Sequence, residues 1–291
     1  MNADRNLPPL SVTNKAEIER AAALITRADG LVIAAGAGMG VDSGLPDFRG
    51  NAGFWRAYPA LAVEGTGFMD IASPTAFRNN PRRTWGFYGH RLALYRDTAP
   101  HAGYDMLRRW GEAMPQGYFV FTSNVDGHFQ RAGFDPLRID ECHGAVERLQ
   151  CLEPCSPALW PAADVEPIVD MARCELLGPL PACPHCGAIA RPNILMFDDW
   201  DWVSEPRDMQ VVRRQSWLDK VRRPVVIEIG AGLNVLTVRH FSDRVVLQHG
   251  GSRIRINPND SAPGGVPGIG IAAGALQTLA AIDALLARSR A

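Results

Sequence analysis

Four cysteines carry the most specific chemical signal in the chain. Cys151 and Cys155 form a C-x3-C pair, Cys183 and Cys186 a C-x2-C pair, and Ser156 to Ala182 lie between them. Both pairs sit in turn sequences, C-L-E-P-C and C-P-H-C-G, a pattern that suits tetrahedral Zn2+ held by thiolates. Four sulfur ligands leave no open coordination position, so a structural metal is expected. Cys142 and Cys174 stand outside the quartet. A second group is Ser43-Gly44-Leu45-Pro46-Asp47-Phe48-Arg49-Gly50, which places an acid, an aromatic ring and a guanidinium side by side on a loop stiffened by Pro46. It follows Gly36 and Gly38, where the backbone can approach a pyrophosphate closely with its N–H groups as donors. The G-x-G-x-x-G spacing of dehydrogenases would need glycine at Val41, so that fingerprint is not met. Asn124 and Asp126 are two apart beyond another apolar run and so share a face; a helix-capping Asn-x-Asp is the plainer alternative. His143-Gly144 offers an imidazole whose ordinary pKa suits taking a hydroxyl proton and returning it, although a histidine taken alone is more often structural.

The elements that must position these groups alternate between helix and strand. Apolar positions Ile18, Ala21, Ala22, Leu24 and Ile25 predict a helix over 15–27, leading into a buried strand at 31–34. From Phe54 to Phe77 no period holds, which predicts a mobile loop with short helices. Helices are expected over 82–96, 102–110, 208–221 and 275–288, and strands over 118–122, 194–197, 225–229, 245–248 and 253–257. This order implies an α/β fold with a mostly parallel sheet.

At 291 residues and 31.7 kDa the chain can hold one large domain and a smaller one. A net charge of -1 and a pI near 6.7 argue against a nucleic-acid or membrane-surface binder. The first residues lack the pattern of a signal peptide and no run is long enough to span a membrane, so a cytoplasmic location is expected. Six clustered cysteines suit a metal site in a reducing compartment.

The stretch Gly36 to Gly50 resembles the sirtuin motif G-A-G-x-S-x-x-S-G-I-P-D-F-R-G, departing only at Gly40 and Leu45. Thr122 to Gly133 resembles T-Q-N-I-D-x-L-H-x-x-A-G, with Ser123 where the family usually has glutamine. His143-Gly144 falls where sirtuins carry the catalytic His-Gly, and the cysteine pairs fall where they bind zinc. Arg191 to Phe197 is similar to R-P-x-V-V-x-F-G-E, with Asp198-Asp199 replacing Gly-Glu. Gly230 to Val235 stands where the family has G-T-S-x-x-V-x-P, with Gly232 for serine and Thr237 for proline, and Ile256-Asn257 matches its I-N. The resemblance covers about Ile18 to Leu286 in a fixed order of six motifs.

It implies a Rossmann-like NAD domain (about 15–52, 96–145 and 192–291) and a smaller domain (53–95, helical with the cofactor loop, and 146–191, the zinc module), with cofactor and acyl-lysine peptide meeting between them. It implies removal of acyl groups from protein lysines, giving nicotinamide and O-acyl-ADP-ribose, with His143 as base and Asn124 and Asp126 positioning ribose and nicotinamide. Cofactor contacts carried over are Gly36, Ala37, Gly38, Asp47, Phe48, Arg49, Trp55, Ser123, Asn124, Asp126, His143, Gly230, Gly232 and Asn257. The segment at 191–197 would pair with the substrate peptide as an added strand. Two other readings of the site stay open: ADP-ribosyl transfer or NAD hydrolysis, and an NAD or ADP-ribose binding module without turnover.

Tyr88 and Arg91 share one face of the predicted 82–96 helix. A phenol and a guanidinium there could grip a carboxylate. Sirtuins that remove acidic acyl groups carry this Y-x-x-R pattern, and Ala72 before Ser73-Pro74 is the small residue that leaves room. A succinyl or malonyl preference is therefore expected, against the alternative of a solvent-facing helix pair.

Overall fold

The computed structural model describes residues 11–47 and 50–288, with the side chains of 50–52 left aside. Helix α1 (Val12–Arg27) leads into strand β1 (Gly30–Ala35) and a 3-10 helix (Ala37–Ser43). Helices α2 (Gly50–Ala57), α3 (Pro59–Val63), α4 (Phe68–Ile71), α5 (Pro74–Asn79), α6 (Pro81–Asp97) and α7 (Ala102–Glu112) precede strand β2 (Tyr118–Thr122). Then come α8 (His128–Arg131), β3 (Ile139–Glu141), β4 (Gly144–Cys151), the two-residue strands β5 (Trp160–Pro161), β6 (Val169–Asp170) and β7 (Glu175–Leu176), and β8 (Ala190–Ile194). The chain ends through α9 (Glu205–Leu218), β9 (Pro224–Ile229), α10 (Thr237–His249), β10 (Ser252–Ile256), β11 (Gly268–Ile271) and α11 (Ala275–Arg288). Among the described residues no helix is long and apolar enough to cross a membrane.

The α/β reading is met by a six-stranded sheet in the order β11-β10-β9-β1-β2-β3. Its pairings β1 with β9, β9 with β10, and β10 with β11 are parallel. β1 and β9 are buried along their whole length, as strands covered on both faces must be. The strand expected at 245–248 is instead helical, part of α10. Val238, Phe241, Ser242, Val245 and Val246 are buried residues of that helix, and their spacing is the helical one; a four-residue apolar run is too short to reveal it. The strand expected at 194–197 lies earlier, at Ala190–Ile194, where Pro192 is tolerated because β8 is an edge of the order β5-β4-β8. Strands β3 to β7 and β11 have no counterpart among the expected elements, and the stretch from Phe54 to Phe77 resolves into short helices.

Two compact units result. One comprises Met1–Asp42, His101–Phe121 and Arg214–Ala291, the other Ser43–Pro100 and Thr122–Arg213. The division expected from the sequence puts 43–52, 96–100, 122–145 and 192–213 with the sheet domain instead. Antiparallel pairing of β4 with β8, from Gly144 opposite Ile194 to Cys151 opposite Ala190, makes one ribbon that a cut at 145/146 would sever.

In the first unit, Ser11 caps α1 by accepting from the Asn14 N–H at 3.1 Å. Ile18, Ala21 and Ile25 of α1 and Leu279, Ile282 and Leu286 of α11 are buried. The loops that follow β1 and β9 touch backbone to backbone: Gly36 N–H donates to Ile229 O at 2.9 Å and Gly38 N–H to Gly230 O at 3.1 Å. A Cβ on Gly230, whose φ is +63°, would stand 2.4 Å from the Gly38 backbone.

In the second unit, Asn80 and Pro81 start α6, with the Asn80 side chain accepting from Arg83 N–H at 3.2 Å. Trp85, Phe87, Tyr88, Leu92 and Tyr95 of α6 join Phe54, Tyr58 and Phe77 in an aromatic core. The opposite side of α6 is bare at Gly86, where a Cβ would meet the Cys174 carbonyl oxygen at 2.2 Å. The segment between the cysteine pairs therefore lies directly on this helix, and Arg82 binds it by donating to the carbonyls of Leu176 and Gly178 at 3.0 and 2.9 Å.

Gly230→Ala should destabilise the first unit by roughly 3 kcal/mol, combining a left-handed residue with a side chain and an overpacked contact. A lowered denaturant midpoint at unchanged slope is the expected observation; an unchanged midpoint would mean that the two loops can part freely.

Candidate active site and metal centre

The four cysteines converge. Cys151 ends β4, Cys155 lies in the turn after it, and Cys183 and Cys186 lie in a second turn closed by Gly187 N–H donating to Cys183 O at 2.9 Å. The sulfur of Cys151 is 3.7 Å from that of Cys186, that of Cys155 is 3.6 Å from that of Cys183, and all four lie within 4.8 Å of one another. Tetrahedral zinc with Zn–S bonds of about 2.3 Å requires sulfurs roughly 3.8 Å apart, so the quartet fits a structural Zn2+.

β4 runs from this centre to His143-Gly144 at its other end. Gly144 has φ +78°, and a Cβ there would stand 2.0 Å from the Asn193 carbonyl oxygen, so only glycine follows the histidine here. The His143 carbonyl accepts from Leu195 N–H at 3.0 Å, fixing its backbone to the segment after β8. Its ring is hydrogen-bonded to the Ser123 backbone. Burial, and then the nearby Arg207 charge, hold the imidazole below its ordinary pKa of 6.5. Arg207 in turn is 3.8 Å from buried Asp140, three residues before His143. Nothing in the sequence pattern points to Arg207.

Asn124 and Ser123 are half-exposed beyond β2, and Asn124 N–H donates to the Thr122 hydroxyl at 3.0 Å. Asp126 is buried and accepts from His128 N–H at 2.9 Å, a turn bond to the first residue of α8, whose N-cap is Gly127. Burial raises its pKa, opposed by that bond and by the charges of Arg131 and Arg91.

Tyr88 and Arg91 are both buried rather than facing solvent. The Arg91 guanidinium carbon lies 5.1, 5.6 and 5.4 Å from the ring centres of Phe87, Tyr88 and Tyr95, and Arg91 Nε donates to the Tyr95 hydroxyl at 2.8 Å. The sequence reading does not single out Tyr95, although its spacing of four from Arg91 is the signal for such a bond. Ala72 is buried at the end of α4, its carbonyl accepting from Phe197 N–H at 2.9 Å. Asp47 is half-buried, and Trp55 donates from its indole to Thr66 O at 2.8 Å. Phe48 and Arg49 lie outside the described residues.

The replacements at Asp198-Asp199 have definite structures. Asp198 adopts φ 53°, the left-handed conformation natural to the glycine it replaces and tolerated by aspartate. Asp199 is buried in a two-bond fork with Arg191, at 2.7 and 2.8 Å.

In the first unit, the N–H groups of Gly36 and Gly38 are spent on the β9 loop, so they are not the anion donors expected from the sequence. Ala37 is the exposed member of that turn. Gly232 is exposed, and a Cβ there would meet nothing within 4 Å, so no clash dictates glycine at this position. Asn257 is buried and holds the loop together: it donates to Ala231 O at 3.0 Å and accepts from the N–H groups of Asn259 and Asp260, both at 3.0 Å.

A Sir2 family profile matches residues 36–236. An NAD-dependent protein deacylase of Aeropyrum pernix is 30% identical over 243 residues, 80% of this chain and 83% of that protein. NAD-dependent protein deacylase sirtuin-5, mitochondrial, of Canis lupus familiaris is 31% identical over 195 residues, 60% of this chain and 58% of that one. Among solved structures, a Sir2 homolog-NAD complex superposes with a TM-score of 0.73 at 23% identity, covering 94% of this chain and 95% of that one, a likeness of fold.

Protein purified without chelators should contain one zinc per chain, and Cys183→Ser should lose it and unfold or aggregate the zinc module, because binding and folding are coupled. Elemental analysis checks this, and zinc-free yet folded protein would overturn it.

Proposed function

The chain belongs to the Sir2 family, and from this premise we infer that it is an NAD-dependent protein-lysine deacylase whose preferred acyl groups are the acidic ones, succinyl and malonyl. NAD, when bound, supplies a sugar carbon with nicotinamide as leaving group, so that the products are nicotinamide and O-acyl-ADP-ribose. Everything else is the work of side chains. Neutral His143 takes a proton from a ribose hydroxyl. The Ser123 backbone bond orients its ring, and burial and Arg207 keep it unprotonated near neutral pH. Asn124 and Asp126 position the nicotinamide ribose, with Ser123 beside them. Asp47, Phe48, Arg49 and Trp55 cover the cofactor. Gly36, Ala37, Gly38, Gly230, Gly232 and Asn257 are the further cofactor contacts that family membership suggests, and Asn257 acts by shaping its own loop.

The observation that supports the acidic-acyl preference is the burial of Arg91 beside Tyr88. A guanidinium removed from water offers a carboxylate a stronger interaction than an exposed one, and buried Ala72 adds no bulk. A plain acetyl group makes no use of that charge. The peptide backbone carrying the acyl-lysine adds as a strand along the 191–197 segment.

Nicotinamide release measured with no peptide, with acetyl-lysine peptide and with succinyl-lysine peptide separates deacylation from NAD hydrolysis and from mere binding. Arg91→Met should lower kcat/KM for the succinyl peptide at least tenfold more than for the acetyl peptide, the scale of one charged hydrogen-bonded contact. Equal losses would remove the acidic-acyl preference and leave general deacylation. Because protonated His143 cannot act as base and burial holds its pKa below the ordinary 6.5, the acidic limb of kcat/KM should have its midpoint below pH 6.5. A pH profile whose acidic limb lies above 6.5 would contradict that role.

A further inference from the structure

Arg91 is held from behind. Its Nε donates to the hydroxyl of Tyr95, one helical turn further along α6, at 2.8 Å, and both side chains are buried, 8% and 6% exposed. We propose that Tyr95 is a positioning residue that sets acyl selectivity by fixing how the Arg91 guanidinium meets a carboxylate. This rests on the acidic-acyl reading of the same site.

A guanidinium can bind a carboxylate side-on, through Nε and one Nη, or end-on, through both Nη atoms. Nε carries a single hydrogen, and here it is given to Tyr95. A carboxylate arriving at Arg91 therefore meets the end-on edge. The Tyr95 bond also fixes the plane of the guanidinium, which is enclosed by the rings of Phe87, Tyr88 and Tyr95. Two parallel hydrogen bonds to one carboxylate require both its distance and its plane to be right, so selectivity follows the element that sets the plane. Asp126 belongs to the same cluster, since its charge acts on Tyr95 and the Arg91 charge acts on Asp126.

The test uses the full chain with NAD and two peptides of one sequence, bearing succinyl- or acetyl-lysine. Tyr95→Phe keeps the ring and its packing but removes the acceptor. It should raise KM for the succinyl peptide and lower the succinyl-to-acetyl ratio of kcat/KM by roughly tenfold, the effect of one hydrogen bond to a charged group. In an Arg91→Met background the same change should leave the ratio where Arg91→Met put it, because the two residues act as one unit. If Tyr95→Phe lowers both rates equally, or leaves the ratio unchanged while Arg91→Met collapses it, Tyr95 has no positioning role and the acyl reading survives. If Arg91→Met itself leaves the ratio unchanged, the acyl reading fails and this inference falls with it. A second measurement needs no variant to fold: on titration with succinyl peptide, the Arg91 Nη proton signals should shift while the Nε–H signal stays in place, and an Nε shift of equal size would show side-on binding and overturn the proposal.

Discussion

Arg191 and Asp199, with side chains wholly out of water, hold each other through a two-bond fork, and the second unit is arranged around that contact. Burying either charge alone would be strongly unfavourable, so the segment between them has to fold back on itself. Arg191 also donates to Ile194 O, and Asp199 accepts from the N–H groups of Met196 and Asp201. Gln150 and Asn193 complete the fold-back by bonding to each other and to the backbone at 201–203. The returning segment supplies Leu195 N–H to His143 and Phe197 N–H to Ala72. One buried ion pair thus fixes the backbone beside the proposed base and beside the proposed acyl pocket. The metal centre pins the other end of the same β4–β8 ribbon, at Cys151 opposite Ala190.

Charge is buried at several such points, and each has its compensation. Arg255 binds Glu228 across neighbouring strands of the first unit, and Arg239 ties the carbonyls of Ala231 and Asp260 together. Arg148 and Gln130 share Glu141, two residues before His143. These contacts do not add much net stability, since desolvation offsets most of the attraction. They specify where loops go. An apolar loop could pack in several ways, whereas a buried fork has one good geometry.

The same fact separates what is legible in the sequence from what is not. The cysteine quartet, the glycines after β1 and the His-Gly pair are readable because metal ligation, close backbone approach and left-handed φ each demand one residue type. β1 and β9 are readable because both faces are covered and the run is apolar throughout. β4 and β8 are not, since Glu147, Arg148, Gln150, Arg191 and Asn193 look like surface residues until their partners are known. α10 hides behind a short apolar run whose helical spacing shows only when Val238 and Phe241 are counted with Val245. Helical spacing puts Tyr88 and Arg91 on one face, but periodicity does not say whether a polar face looks outward. The answer comes from the aromatic cluster contributed by distant segments.

The departures from the family pattern gain meaning in this light. Aspartate at 198 keeps the left-handed turn that glycine would make, and aspartate at 199 keeps an acid in reach of Arg191, so a change in both residue types leaves the backbone path served. Gly232 lies in open space, where nothing in the fold demands glycine and a side chain would meet no neighbour within 4 Å. The long segment between the cysteine pairs has a mechanical consequence: it lies against the bare side of α6 at Gly86 and Gly89, with Cys174 O and Pro167 as its contact points. The other side of that helix carries Tyr88, Arg91 and Tyr95. A side chain at Gly86 would push helix and segment apart, and the zinc centre anchors that segment at both ends. The metal, far along the ribbon from any reacting atom, therefore supports the helix whose buried charge is proposed to choose the acyl group.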